Sequence, residues 1–116
     1  LSFTPHLVPM TRGILVTAEA QVVGDWDQGA LEALYRDFYA SEAFVRVLDT
    51  LPETKGTYAS NRVDLRPLYE ARTGRVLVFA ALDNLVKGMA GQAVQNFNLM
   101  MGFPEDLALP REGIWP

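Results

Sequence analysis

Apolar and polar residues alternate along the first third of the chain in two different periods. Residues 14–23 alternate in steps of two, and the set that begins at Ile14 is wholly apolar, which predicts a half-buried strand with a core face. Asp27 then stands where a helix N-cap would be. Apolar side chains follow at i, i+3, i+4 and i+7, and this stripe predicts an amphipathic helix that packs on a sheet and ends around Ser41. The stripe consists of Leu31, Leu34, Tyr35 and Phe38.

The remaining pattern predicts three strands and a second helix. Residues 44–48 form a short apolar run, and residues 61–69 alternate between charged and apolar side chains as far as Pro67. Residues 75–82 are apolar enough for a buried central strand. A second helix is predicted from about residue 85 to 101. Gly102 suits its C-terminal stop.

These elements predict an α+β fold. The order is strand, helix, strand, strand, strand, helix, and the late strands are joined by short turns such as Thr73-Gly74. We therefore expect a mixed, mostly antiparallel sheet with helices on one face. The charged side chains of Arg62, Asp64 and Arg66 are expected to form a solvated strand face.

Composition narrows the possible functions. The chain has 116 residues, 49% hydrophobic and 21% charged, which suits one globular domain. A net charge of -4 argues against nucleic-acid binding. With no cysteine and one histidine, the chain supplies neither a thiol nucleophile nor a multi-histidine metal site. No apolar run reaches the roughly 18 residues of a membrane span, and no signal peptide is visible. The start at Leu1 indicates either processing or a piece of a longer protein.

The second predicted helix carries the strongest hint of chemistry. Gly88 and Gly91 cost about 1 kcal/mol each relative to alanine in a helix interior. Their small size permits close approach of a ligand, and Lys87 beside them would suit an anionic one. The alternative is that the glycines allow the helix to pack tightly on the sheet beside a solvated lysine. Physical reasoning alone favours this alternative over a ligand site. His6 and Arg12 stay open between a structural role and a site role.

Two long motifs resemble the N-acetyl-gamma-glutamyl-phosphate reductase family. One is FTPHLVPMTRGIL at residues 3–15, and the other is DNLVKGMAGQAVQNFNLM at residues 83–100, followed by GFPE at 102–105. Residues 42–48 and Ser60-Asn61 fit the same family, so the resemblance covers essentially the whole chain. Such enzymes are similar to glyceraldehyde-phosphate dehydrogenase in having an N-terminal Rossmann domain for NADP and an α+β second domain.

The resemblance implies that this is a C-terminal part of such an enzyme. Residues 1–82 would be the distal part of the substrate and dimerisation domain, and residues 83–116 a returning helix and tail that pack towards the NADP-binding domain. The family reduces an acyl phosphate, N-acetyl-glutamyl 5-phosphate, with NADPH during arginine biosynthesis in the cytoplasm. Its catalytic cysteine and histidine-containing segment do not occur in this chain, so no catalytic residue and no metal ligand is assigned here. A homo-oligomer, dimer or tetramer, is expected.

The resemblance also assigns candidate site residues. The cofactor-binding candidates are Asn84, which would hold the nicotinamide carboxamide, with Lys87 and Gly88 beside it. The substrate-cleft candidates are His6, Arg12, Ser60 and Asn61. Two alternatives stay open: the sister reductase of carrier-bound aminoadipyl or glutamyl phosphate in lysine biosynthesis, and a non-catalytic dimerisation or ligand-binding module. The ending Trp115-Pro116 is more similar to the arginine enzyme.

Overall fold

The computed structural model describes residues 1–114, so the predicted ending at Trp115-Pro116 lies outside the described residues. Within them, four strands and two α-helices follow the predicted order, confirming the α+β class. A 3₁₀ turn and a π-helical turn accompany them. The elements are β1 Ile14–Gln21, α1 Gln28–Phe38, β2 Val45–Val47, the 3₁₀ turn Thr54–Thr57, β3 Val63–Glu70, β4 Arg75–Leu82, the π turn Val86–Ala90 and α2 Gly91–Met101.

The four strands form one mixed sheet in the order β1-β4-β3-β2. β4 pairs antiparallel with both β1 and β3, whereas β2 pairs parallel with β3. Gly74 closes the turn between β3 and β4 with φ at +65°, a conformation that favours glycine. The predicted mixed, mostly antiparallel sheet and the central position of β4 are therefore confirmed.

Strand β1 differs from its prediction because it has no core face. All eight residues of Ile14–Gln21 are exposed, including Leu15 at 57%. β1 lies at the edge of the sheet and pairs with β4 alone. The alternation of apolar side chains was read correctly as a strand, but within the described residues no layer covers either of its faces.

The charged face of β3 also differs from its prediction, because it is largely buried. Asp64 is 2% exposed, and the side chain of Arg66 is 12% exposed. The parallel register places Arg46 of β2 beside Asp64, and the guanidinium donates from Nε and Nη2 to the two carboxylate oxygens at 2.8 and 2.7 Å. Arg66 pairs with Glu32 of α1 at 2.8 Å. The charges are buried because they neutralise one another across three elements.

Strand β3 runs through Pro67 to Glu70 rather than ending at the proline. Its partner β2 stops at Val47, opposite Leu65, so beyond that point β3 has β4 on one side and no strand on the other. The side-chain amide of Gln28 takes its place by donating to the Pro67 carbonyl at 3.0 Å and accepting from the Tyr69 N–H at 2.8 Å. A proline is tolerated here because its missing N–H faces this open edge.

Helix α1 begins as predicted and ends earlier. Asp27 caps it, since its Oδ1 accepts from the Ala30 N–H at 2.7 Å. The helix ends at Phe38 rather than Ser41, and of the predicted apolar stripe only Leu31 is buried. Phe38 is 72% exposed.

The second helix is interrupted, which the sequence pattern did not indicate. Residues 86–90 form a π turn in which the N–H groups of Gly88 and Ala90 donate to carbonyls five residues earlier, those of Asp83 and Leu85, at 2.9 Å each. α2 then runs to Met101, and Gly102 ends it as predicted, with φ at +70°. Across residues 1–114, neither α1 nor α2 has the length and apolar character to cross a membrane.

Candidate functional site

Asp83 is the centre of the site, where β4 passes into the π turn. Its side chain is fully buried. Oδ1 accepts from the N–H groups of Leu85 and Val86 at 2.8 and 2.9 Å, and Oδ2 accepts from the Ala59 N–H at 2.7 Å. The guanidinium of Arg12 completes the shell, with Nη2 at 3.0 Å from Oδ1 and 2.9 Å from Oδ2. We call residues 82–86, with these partners, the Asp83 junction.

The electrostatics of the junction favour the ionised carboxylate. Burial acts to raise the pKa of Asp83, but the hydrogen bonds from Ala59, Val86, Arg12 and Leu85 outweigh it, so the pKa is held below its ordinary value. Four donors from three separate chain segments therefore meet a charge that remains ionised at neutral pH.

Asn84 is held in place by the opening segment of the chain. Its Oδ1 accepts from the Gly13 N–H at 2.7 Å, while its Nδ2 makes no hydrogen bond within residues 1–114. The alternative that Asn84 merely caps the helix does not fit, because Asp83 accepts from the first free amides of the π turn. The amide of Asn84 thus has a fixed orientation and an unused donor.

Arg12 lies between Asp83 and an aromatic ring. Its guanidinium stands 4.6 Å from the centroid of Tyr58, in cation–π geometry. The hydrogen bond to Asp83 raises the pKa of Arg12 above its ordinary value, against the opposing effect of burial. Its Nε is buried and has no partner within the described residues. Beside it opens a cavity of about 610 Å³, lined by Pro9, Met10, Thr11, Arg12, Thr54, Lys55, Tyr58 and Ile114.

The two glycines of the second motif are explained by close packing. A Cβ at Gly91 would come within 2.3 Å of Asn61 Oδ1 and 2.8 Å of the Val86 carbonyl oxygen. A Cβ at Gly88 would meet the Asp83 carbonyl oxygen at 3.4 Å and side chains of the sheet at slightly longer range. Gly91 therefore admits no side chain, and Gly88 lets the π turn lie directly against the end of the sheet.

Lys87 has partners within the chain. Its Nζ donates to Gln95 Oε1 at 2.7 Å and stands 5.5 Å from the centroid of the Phe44 ring. Burial lowers the pKa of Lys87, against the opposing effect of the charges of Glu105 and Glu42. The lysine is thus partly buried and bonded to a neutral amide rather than solvated, and its role beside the cofactor stays a prediction.

Ser60 and Asn61 are fully buried rather than exposed to a cleft. The Ser60 hydroxyl donates to the Thr57 carbonyl at 2.8 Å. Asn61 donates from Nδ2 to Gln95 at 2.9 Å, and its N–H donates to the Pro110 carbonyl at 2.8 Å. In this structure both residues shape the turn that carries Ala59 to Asp83.

His6 lies on the exposed opening segment and makes no hydrogen bond or ion pair with the rest of the described chain. Of the predicted site residues, the structure therefore brings Arg12, Asn84 and Gly88 together around Asp83. Ser60 and Asn61 support the same region from behind the turn. Lys87 is bound to Gln95, and His6 remains apart.

Sequence reasoning missed Asp83 and Tyr58. In the sequence, Asp83 is only the first residue of the second motif. An aspartate directly after an apolar strand, before a segment rich in free amides, was the available signal. No sequence signal identified Tyr58, because a tyrosine in a polar loop has many possible neighbours.

Comparison with known proteins places the chain in a family. The sequence model described as the semialdehyde dehydrogenase dimerisation domain matches residues 1–84. Curated relatives named N-acetyl-gamma-glutamyl-phosphate reductase are similar over 100% of this chain: 81% identity for the protein from Thermus thermophilus, 52% for that from Desulforamulus reducens and 50% for that from Geotalea daltonii. Each match covers 34% of the relative, so the chain spans about a third of its relatives' length. The chain belongs to the family of semialdehyde dehydrogenase dimerisation domains.

Proposed function

We propose that this chain is the C-terminal portion of an NADPH-dependent reductase that converts N-acetyl-glutamyl 5-phosphate into N-acetyl-glutamate 5-semialdehyde in arginine biosynthesis. In the balanced reaction the acyl phosphate, NADPH and a proton give the aldehyde, inorganic phosphate and NADP⁺. The names of the relatives support this substrate over the carrier-bound one of lysine biosynthesis. The cytoplasmic location remains a prediction of the same resemblance.

The observation that carries the proposal is the amide of Asn84. A carboxamide on a nicotinamide ring offers a carbonyl oxygen that Nδ2 of Asn84 can bind, and Nδ2 is unused within the described residues. NADPH, when bound, would supply the hydride. This chain would orient the nicotinamide ring, because Asn84 is itself held in place by Gly13. A ring held in the reactive orientation raises the rate of hydride transfer. Gly88 stays a predicted neighbour of the cofactor through its backbone, since the space where its Cβ would lie is bounded by the end of the sheet.

Other parts of the reaction belong elsewhere in the full-length protein. No cysteine is present here, so the nucleophile that attacks the acyl phosphate comes from a segment outside these 116 residues. Residues 1–82 would contribute the distal part of the substrate and dimerisation domain, and residues 83–116 the helix and tail that face the NADP-binding domain. The family description, a dimerisation domain, supports contact between copies of the chain, and the choice between a dimer and a tetramer stays a prediction.

The test is Asn84→Ala in the full-length protein. We expect a larger dissociation constant for NADPH, measured by nicotinamide fluorescence, and a lower kcat. The fold should be unchanged, because the substitution removes no core volume. Asn96→Ala is the matched control, since Asn96 is an exposed asparagine on α2. If Asn84→Ala lowers only the melting temperature, the cofactor role is refuted. The 116-residue chain alone should show no reductase activity, and measurable turnover by it would overturn the assignment.

A further inference from the structure

We propose that Asp83 is a positioning residue, which holds Asn84 and the Arg12 segment in a fixed relation so that the cofactor side and the substrate side of the site meet correctly. The inference rests on the proposed function, because it assigns Asp83 a role through Asn84. Asp83 itself touches neither ligand in this proposal. It acts by joining the three chain segments that converge on its own carboxylate, next to Asn84.

The first argument is the connectivity around one carboxylate. The opening segment is bound twice: Arg12 donates to Asp83, and the next residue, Gly13, donates to Asn84 at 2.7 Å. These two contacts run between consecutive residues on each side, so they form a two-point clamp. Neither segment can shift along the other without breaking both contacts.

The second argument is a backbone conformation that needs external support. Ala59 has φ at +59°, in the left-handed region that residues with a side chain rarely adopt. Its N–H donates to Asp83 Oδ2 at 2.7 Å, so the same carboxylate that clamps the opening segment also holds this turn. Such conformations persist only where the surroundings over-determine them.

The third argument is the π turn that follows. Asp83 accepts from Leu85 and Val86 through its side chain and from Gly88 through its carbonyl oxygen, at 2.8, 2.9 and 2.9 Å. π turns are rare and occur frequently at functional sites. Here Asp83 is bonded to the residues that follow Asn84, so the backbone is fixed on both sides of Asn84.

The experiment is a double-mutant cycle in the full-length protein, read by the dissociation constant for NADPH and by kcat. We expect Asp83→Asn to weaken NADPH binding about tenfold and to lower kcat, because an amide offers one acceptor oxygen where the carboxylate offers two. In an Asn84→Ala background, the same substitution should change NADPH binding less than about twofold, since the group it positions is gone. A full, multiplicative effect in that background overturns the proposal.

Asp64→Asn is the matched control, because Asp64 is another buried aspartate with an arginine partner and no hydrogen bond to Asn84. It should lower the melting temperature and leave NADPH binding and kcat unchanged. If Asp83→Asn behaves in the same way, Asp83 is structural only and the proposal fails.

A second variant keeps the test decisive if Asp83→Asn does not fold. Arg12→Gln removes one arm of the clamp and should weaken NADPH binding in the wild-type background but not in the Asn84→Ala background. The two levels of the proposal fail differently. If Asn84→Ala changes nothing, the proposed cofactor role fails; if Asn84→Ala has its effect while Asp83→Asn and Arg12→Gln do not, only the positioning role fails.

Discussion

Two buried aspartate–arginine pairs in this molecule use the same chemistry for different ends. Asp64 and Arg46 lie side by side on paired strands, and within residues 1–114 all the hydrogen bonds to the Asp64 side chain come from that one guanidinium. Asp83 is equally buried, yet it receives Arg12 from 71 residues away together with backbone N–H groups from two further segments. One pair fastens neighbouring strands, and the other assembles a site.

The two arginine partners differ in how readily water could replace the aspartate. The side chain of Arg46 is 46% exposed, so its charge could turn into water. That of Arg12 is 21% exposed, with a buried Nε that already has no partner within the described residues. The comparison teaches that the cost of losing a buried carboxylate depends on whether the groups left behind can be rehydrated.

The largest effect is expected for Asp83→Ala. It would leave the backbone donors at Ala59, Leu85 and Val86 and the charge of Arg12 without an acceptor, which should lower the free energy of unfolding by about 3–5 kcal/mol. Calorimetry of the full-length protein measures this as a fall in melting temperature. A loss no greater than that of Asp64→Ala would show that the two pairs are equivalent and would break the comparison.

Acid should remove the contribution of Asp83 gradually. Because its pKa is held below the ordinary value, the unfolded chain binds the proton first as the pH falls. The stabilisation is complete above the unfolded pKa of about 3.9 and is lost as the pH falls through the lower folded value. The difference in melting temperature between wild type and Asp83→Asn should therefore shrink as the pH falls below about 4. Glu32, Glu70 and Glu112 also have lowered pKa values, but they are common to both proteins and cancel.

Asp64→Ala should cost less, about 2 kcal/mol, because Arg46 can reach solvent once its partner is gone. The measurement is the same calorimetric one. NADPH binding should not change, since Asp64 has no hydrogen bond to Arg12, Ala59 or Asn84. A stability loss matching that of Asp83→Ala would mean that rehydration of the partner does not decide the cost.

The two pairs also show how far the sequence alone could lead. Alternation identified β3 and placed Asp64 on its charged face, but local pattern could not reveal that β2 would bring Arg46 alongside, so the face was expected to be solvated. The Asp27 cap and the Gly102 stop were predictable because they depend on neighbouring residues, whereas the end of β3 was not, because it depends on Gln28 of α1. The Asp83 junction depends on contacts across 24 and 71 residues, which no local period encodes. The motif resemblance nevertheless located Asn84 within it.

The smallest effect is expected for Arg46→Lys, and it sharpens the comparison from the arginine side. Lysine keeps the charge beside Asp64 but replaces two parallel hydrogen bonds with a single flexible donor. Since the position is nearly half exposed, water can satisfy the second carboxylate oxygen from the open side, and the loss should stay below about 1 kcal/mol. Arg46→Ala is the control, because it removes the charge as well and should lower the melting temperature further. If lysine and alanine are equally destabilising, the two parallel hydrogen bonds rather than the charge hold Asp64. The strand pair would then depend on its arginine as strongly as the Asp83 junction does.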